Sequence, residues 1–184
     1  MRSDLQNDIE EACQKLKIPA ADFSLLPFTT NWRQLEEHIY KAFCRIEGQG
    51  RPCWLWKRYK SEWFGLALED YPDYILDQLV PISENVWFMA YDGDNFFFYE
   101  GKVKPIQQVL SECSPDEYYL INKKFEWLLS VNHHDYLTGT GTFIIHQLKV
   151  FAQRSPEMLT TAYPFLCRKR KTPISVVNWY PSHF

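Results

Sequence analysis

VWFMAYDGDNFFFYEG, residues 86–101, contains two runs of apolar and aromatic residues around a short polar break. The break includes Asp92-Gly93, a dipeptide favoured in two-residue type I′ turns because both central residues need a positive φ. The stretch therefore predicts a β-hairpin. Asp92, Asp94 and Asn95 also resemble the start of a calcium-binding loop. The rest of the EF-hand pattern is missing, including the Glu at its twelfth position, so a hairpin turn is the better interpretation.

More strand-like segments lie on both sides of this hairpin. A second hairpin is predicted at residues 117–137, where two apolar runs flank Asn122-Lys123-Lys124. Its second strand is expected to run through residues 125–137, because apolar side chains alternate there. Residues 53–59 and 61–68 are typical of strands or irregular aromatic segments, and ISVVNWY, residues 174–180, of a last strand. These segments predict an antiparallel sheet of about five or six strands.

Helices are predicted where apolar residues recur at helical spacing. The first spans residues 3–16 with Ser3 as its cap, and the second follows Asn31 and ends at Gly48. Others are predicted at residues 73–81, 105–113 and 143–153. We expect a single α+β domain, 1–184, with helices mainly on one face of the sheet and the two amino-terminal helices packed across it. Its parts are a helical segment 1–48, a sheet-rich core 53–141, and a carboxy-terminal helix and tail 142–184.

Composition and charge exclude several classes of protein. Of 184 residues, 46% are hydrophobic and 17% aromatic, which suits a full core rich in strands. The formal net charge of −3 predicts no general affinity for nucleic acid or an anionic membrane. No apolar run approaches the ~20 residues of a membrane helix, and the basic run at 168–171 is interpreted as a solvated loop. Five widely spaced cysteines, no CxxC and no signal peptide predict a cytoplasmic protein with free thiols.

The polar stretch SVNHHDYLTGTG, residues 130–141, holds the candidate functional residues. In a strand that runs to residue 137, His133 and Asp135 share the core face, whereas Asn132, His134 and Tyr136 share the other. The two histidines are then expected to point in opposite directions. Gly139 and Gly141 would let the chain bend closely around the cluster.

Four interpretations of this cluster remain open. His133 or His134 with Asp135 could perform acid–base catalysis. Either histidine could bind a metal with help from Asp92, Asp94, Glu100 or His146. The face with Asn132, His134 and Tyr136 could meet a protein partner, or the histidine could simply cap the core. A metal site is the least favoured because the histidines are expected to be separated, and the sequence predicts no cofactor.

Other signatures of function are weak or missing. The sequence contains no Walker loop, no GxSxG and no HExxH, and Ile144 stands where a dinucleotide fingerprint beginning at Gly139 needs its third glycine. A cysteine nucleophile with His133 or His134 as its base has nothing to mark which cysteine it would be. The tryptophans Trp54, Trp56 and Trp63 could stack on a ligand, although core packing is the favoured explanation.

Several blocks resemble a family of uncharacterised, mainly bacterial, small domains. They are residues 86–88 (VWF), 98–101 (FYEG), 117–119 (EYY), 123–129 (KKFEWLL) and 132–135 (NHHD). The resemblance covers about the central half of the chain and leaves out the last 40 residues. It implies a bacterial, cytoplasmic α+β domain and carries over no activity, cofactor or catalytic residue.

The sequence therefore favours a cytoplasmic protein-binding module that uses an exposed aromatic and acidic surface. Bacterial immunity proteins, which neutralise toxins, are an analogous class of small acidic α+β domain. The alternative is a hydrolase-like enzyme with a His/Asp acid–base or metal site at residues 132–135. No nucleic acid or membrane is expected as a partner, and the aromatic residues leave a homodimer open.

Overall fold

A computed structural model describes residues 3–27, 29–46, 54–160 and 165–168, the last of these as backbone. The helices are α1 (Asp4–Lys15), α2 (Trp32–Phe43), α3 (Leu76–Leu79), α4 (Val103–Leu110) and α5 (Thr142–Arg154), with 3₁₀ helices at Leu55–Arg58, Pro72–Ile75 and Pro156–Met158. The strands are β1 (Phe23–Leu25), β2 (Trp63–Ala67), β3 (Asn85–Tyr91), β4 (Phe96–Lys102), β5 (Glu117–Asn122), β6 (Leu128–Val131), β7 (Tyr136–Thr140) and β8 (Phe165–Arg168). The α+β class is confirmed.

All eight strands join one antiparallel sheet in the order β1-β4-β3-β5-β6-β7-β2-β8. The predicted five or six strands were too few for two reasons. The short edge strands β1 and β8 carry little periodic signal, and the single strand predicted at 125–137 is in fact two strands, β6 and β7. The predicted strand at 174–180 lies outside the described residues.

Both predicted hairpins are present, but the turn of the first differs from its prediction. Tyr91 pairs with Phe96, so the connection between β3 and β4 is the four-residue loop 92–95 and not a two-residue type I′ turn. The Asp92 carboxylate accepts hydrogen bonds from the backbone N–H groups of Asp94 (3.0 Å) and Asn95 (2.8 Å). Only Gly93 in this loop has a positive φ, at 98°. The side chain of Asp92 thus organises the longer loop.

Helices cover the two faces of the sheet unequally, as predicted. The first face packs against α1, α3, α4 and α5 through residues such as Ile9, Leu76, Ile106 and Leu148. The second face packs against α2 and the 3₁₀ helix Leu55–Arg58. The two amino-terminal helices therefore lie on opposite faces. Because side chains alternate along a strand, each central strand contributes to both cores.

Local signals account for most of the helix boundaries. Ser3 forms a capping box with Gln6 at the start of α1. α2 begins after Asn31 but ends at Phe43, short of the predicted stop at Gly48. Residues 55–58 form a 3₁₀ helix where a strand or irregular segment was expected. In the described part of the chain, no helix combines the length and the apolar character that crossing a bilayer requires.

Candidate functional site

The Asn132–Asp135 segment is a tight turn between β6 and β7, which corrects the single strand predicted through residue 137. The Asn132 side chain is 1% exposed, and its Oδ1 accepts hydrogen bonds from the N–H groups of His134 (2.9 Å) and Tyr136 (3.1 Å). Asp135 takes a left-handed φ of 58°. Asn and Asp favour such turns, so these two residues carried a turn signal that the alternation of apolar residues concealed.

The turn brings the two histidines together, whereas the strand prediction had separated them. Their ring centroids lie 4.0 Å apart, and both residues are exposed. His133 does not pair with Asp135 on the core face. Its Nδ1 lies 2.7 Å from Oε1 of Glu117 instead, and Asp135 is exposed. The predicted His–Asp pair is therefore wrong, and the partner of His133 is a glutamate from β5.

Glu117 is a fully buried carboxylate at the start of β5, with 0% exposure. Besides the bond to His133, its Oε1 accepts a hydrogen bond from Nε1 of Trp56 (3.1 Å) and its Oε2 accepts one from the hydroxyl of Tyr119 (2.5 Å). The backbone N–H of Leu55 donates in turn to the Tyr119 hydroxyl oxygen (3.3 Å). The network ties the 3₁₀ helix to the sheet and satisfies the buried charge.

Two of the three predicted tryptophans join the histidines. The Trp54 ring lies 5.9 Å from His133, and the Trp56 ring lies 6.3 Å from His133 and 6.5 Å from His134. Trp54 is 43% exposed, which is unusual for so large an apolar side chain. The third, Trp63, begins β2 at the end opposite the turn and packs against Tyr59, with 6.4 Å between ring centroids.

Lys57 and Tyr136 complete the cluster. Nζ of Lys57 lies 4.1 Å from the ring centroid of Trp54 and 4.9 Å from that of Trp56, within the range of a cation–π contact. The Tyr136 ring lies 6.2 Å from that of His134. We call this set the aromatic–histidine patch; its members are Trp54, Trp56, Lys57, His133, His134 and Tyr136. Asn132 supports the patch from below and is too buried to meet a partner.

Electrostatics within the patch keep His134 neutral. Partial burial lowers its pKa, and the neighbouring positive charges of His133 and Lys57 lower it further, against the opposing effect of Glu117 and Asp135. His134 can therefore both donate and accept a hydrogen bond near neutral pH. The outer nitrogen of His133, Nε2, lies on the side of its ring away from Glu117.

No group of three or more His, Cys, Asp or Glu side chains that could hold a metal occurs in the described part of the chain. The proposed metal partners Asp92, Asp94, Glu100 and His146 are accordingly not gathered around His133. Sequence reasoning had disfavoured a two-histidine site because alternation would separate the rings, and that reason was wrong.

The cysteines offer no activated nucleophile among the described side chains. Burial raises the pKa of Cys44 and of Cys113 to about 12, and it also raises the pKa of Cys13. These thiols therefore stay protonated at neutral pH. Cys53 and the side chain of Cys167 lie outside the described residues.

The patch lies on the surface of the protein, where Trp54, His133 and His134 are exposed. Two surface depressions run along α1, one beside Glu112 and one beside Asp116, and neither is lined by a residue of the patch.

Sequence reasoning did not identify Glu117, Lys57 and Tyr119 as members of the site. The one available signal was a carboxylate, Glu117, opening the otherwise apolar run that forms β5.

Comparison with curated proteins and with solved structures finds no significant match. A family model does match, over residues 1–152, and its description is a family of unknown function, DUF6756. The match is wider than the central block that carried the resemblance, and it leaves out residues 153–184. Because the model covers most of the sequence, the chain belongs to the DUF6756 family of unknown function.

Proposed function

We propose that the protein is a protein-binding module and that the aromatic–histidine patch contacts its partner. One observation carries the proposal: Trp54 and two histidines are exposed side by side on a frame fixed by the buried carboxylate of Glu117. Tryptophan dominates the binding energy of many protein interfaces. A side chain that is already held in place also loses little entropy when it binds.

The composition of the patch suits a partner with both apolar and acidic groups. Trp54 offers an apolar face, while Lys57 and His134 can donate hydrogen bonds to carboxylates. A toxin protein is the partner class that the analogy with immunity proteins suggests. The patch measures only a few side chains, so it would form the centre of a larger interface.

Affinity capture from the native organism tests the proposal. We expect the wild-type chain to recover one stoichiometric protein and the double variant Trp54→Ala/His134→Ala to lose it. Phe143→Ala is the matched control, because Phe143 is an aromatic residue of similar exposure (39%) that lies outside the patch. Recovery of the same partner by the double variant would refute a role for the patch.

A second candidate function, a hydrolase-like enzyme, rests on the 2.7 Å contact between Glu117 and Nδ1 of His133. A carboxylate that orients an imidazole and leaves its other nitrogen accessible is the arrangement of general acid–base catalysts. The hydrolysis of p-nitrophenyl acetate separates the two candidates. Catalysis predicts turnover that disappears in His133→Ala and in Glu117→Gln. Equal rates in wild type and both variants would leave binding as the function.

A further inference from the structure

An acidic and aromatic surface lies on the other side of the Asn132–Asp135 turn. Ala67 at the end of β2 pairs with Tyr136, so the chain that follows β2 runs beside the turn. This segment presents Tyr71 and Tyr74, which are 64% and 55% exposed. Their rings lie 6.2 Å apart and perpendicular to each other. We call the set Glu69, Asp70, Tyr71, Asp73, Tyr74 and Asp135 the acidic tyrosine surface.

Most of the acidic tyrosine surface belongs to a stretch of sequence whose Asp and Glu residues are not accompanied by any Lys or Arg. Residues 61–101 contain nine Asp and Glu residues and no Lys or Arg, although the whole chain carries a net charge of only −3. Among the described residues, cations from other parts of the chain pair with Glu62 (Lys149, 3.8 Å), Asp77 (Lys104, 3.7 Å) and Glu100 (Lys123, 2.7 Å). Glu69, Asp70 and Asp73 form no ion pair with a described residue. A surface with such a concentration of carboxylates attracts positively charged partners.

The two tyrosines are held by a rigid backbone. Nε2 of Gln107, on α4, donates hydrogen bonds to the backbone carbonyls of Asp73 (2.9 Å) and Tyr74 (3.1 Å). Pro72, between the exposed tyrosines, is buried. Tyrosines on a fixed segment can anchor a partner at a low cost in conformational entropy.

A buried hydroxyl without a partner lies beneath the acidic groups. Tyr118 is 5% exposed, and its hydroxyl makes no hydrogen bond with any described residue. Tyr118 pairs with Val131, the last residue of β6 before the turn that holds Asp135. Burial raises the pKa of the Tyr118 phenol, and the negative charges of Asp73 and Asp135 raise it further. Burial and the charge of Asp135 likewise raise the pKa of Asp73. A cationic donor would relieve the repulsion between the carboxylates and satisfy the phenol oxygen.

We propose that the acidic tyrosine surface docks a basic protein segment, with a Lys or Arg side chain seated between Asp73 and Asp135. Tyr71 and Tyr74 pack against the aliphatic stem of that side chain and contact its charge through their ring faces. The neutral oxygen of Tyr118 accepts a hydrogen bond from the cation. This surface is distinct from the aromatic–histidine patch, and the proposal does not depend on that patch.

Selection from a phage-displayed random peptide library on the full chain tests the proposal. We expect the enriched peptides to carry an excess of Lys and Arg and to bind more weakly as salt is added. Tyr71→Ala/Tyr74→Ala should reduce their affinity at least tenfold, as expected for aromatic anchors. Tyr118→Phe should reduce it several-fold while the protein stays folded, an effect that a purely structural tyrosine would not produce.

Two control variants distinguish docking from general attraction to a negative protein. Asp92→Asn/Asp94→Asn removes two negative charges from the β3–β4 loop, and Trp54→Ala alters the aromatic–histidine patch. Both should leave peptide affinity within about twofold of wild type, because neither touches the proposed contacts. Failure to enrich any peptide, enrichment without excess positive charge, or equal weakening by the loop and tyrosine variants would overturn the proposal.

Discussion

Glu117 should be the polar residue whose loss costs the most stability. Truncation in Glu117→Ala leaves the Nε1 of Trp56 and the hydroxyl of Tyr119 without their acceptor, and each unsatisfied buried donor costs about 1–3 kcal/mol. His133 adds little, because it is exposed and can bond water. Because Trp56 is only half-buried, its donor lies at the lower end of that range. With the cavity left by the side chain, the total is about 3–5 kcal/mol, the range expected when one member of a buried polar pair is removed.

Glu117→Gln should cost less than about 2 kcal/mol. The amide keeps the volume and one acceptor oxygen, while charge-assisted hydrogen bonds become neutral ones. The smaller desolvation cost of the neutral group offsets part of that loss. Glu100→Ala is the matched control, because the Glu100 side chain is 43% exposed in its ion pair with Lys123 and should contribute less than about 1 kcal/mol.

Urea unfolding followed by tryptophan fluorescence measures these differences as shifts of the midpoint at constant m. The expected order of destabilisation is Glu117→Ala, then Glu117→Gln, then Glu100→Ala. If Glu117→Ala costs no more than Glu100→Ala, the buried network does not hold the 3₁₀ helix Leu55–Arg58 to the sheet, and the frame assigned to the aromatic–histidine patch is wrong.

Three further predictions concern pH, a glycine and a buried phenol. The pKa of His134 is lowered in the folded protein, so below about pH 6.5 the unfolded chain binds more protons than the folded one, and the free energy of unfolding decreases as the pH is lowered. His134→Gln should make this decrease smaller in urea unfolding measured from pH 7 to about 5. Gly141→Ala should destabilise the protein by at least about 2 kcal/mol, and by more than Gly93→Ala. Both glycines have a positive φ, but a Cβ at position 141 would lie 2.3 Å from a backbone oxygen, whereas a Cβ at position 93 would lie 3.1 Å from a side-chain oxygen. Equal thermal shifts for the two variants would contradict this steric argument. Tyr118→Phe removes a hydroxyl that bonds no described residue, so it should leave the free energy of unfolding unchanged or raise it by up to about 1 kcal/mol. Tyr59→Phe removes hydrogen bonds to two buried hydroxyls and should lower the free energy of unfolding by about 1–2 kcal/mol in the same assay.

The parts of the fold that were predicted correctly are those determined by neighbours in sequence. The helix cap at Ser3 and the β3–β4 hairpin follow from residues a few positions apart. The edge strands were missed because β1 has only three residues and its identity depends on pairing with β4, a distant part of the chain. Short strands have little intrinsic stability and form only where a partner strand is available.

The candidate site likewise contains residues that local sequence identifies and contacts that it does not. Sequence reasoning identified the histidines and Trp54 and Trp56 but assigned the geometry of the histidines wrongly. The strand that was extended to residue 137 ends at Val131, and the turn that follows brings the two rings together. Glu117 could not be paired with His133 from sequence, because the two lie sixteen positions apart, one on β5 and the other in the β6–β7 turn. Trp56 reaches Glu117 across 61 positions. Contacts of this kind depend on sheet register, which local patterns do not determine.

The second face of the sheet becomes more polar towards the β6–β7 turn, and this gradient explains how a buried carboxylate is tolerated. Along β5 the side chains on that face change from Ile121 to Tyr119 to Glu117, while α2 packs on the apolar end and the 3₁₀ helix Leu55–Arg58 reaches the polar end. The helix that covers the carboxylate is thus the one that carries Trp56 into the patch. Substitutions at exposed positions such as Trp54 should alter binding and leave this frame intact, whereas changes at Glu117 should alter the stability and the geometry of the patch together. Independent variation of the two properties would show that the patch and its frame are separate.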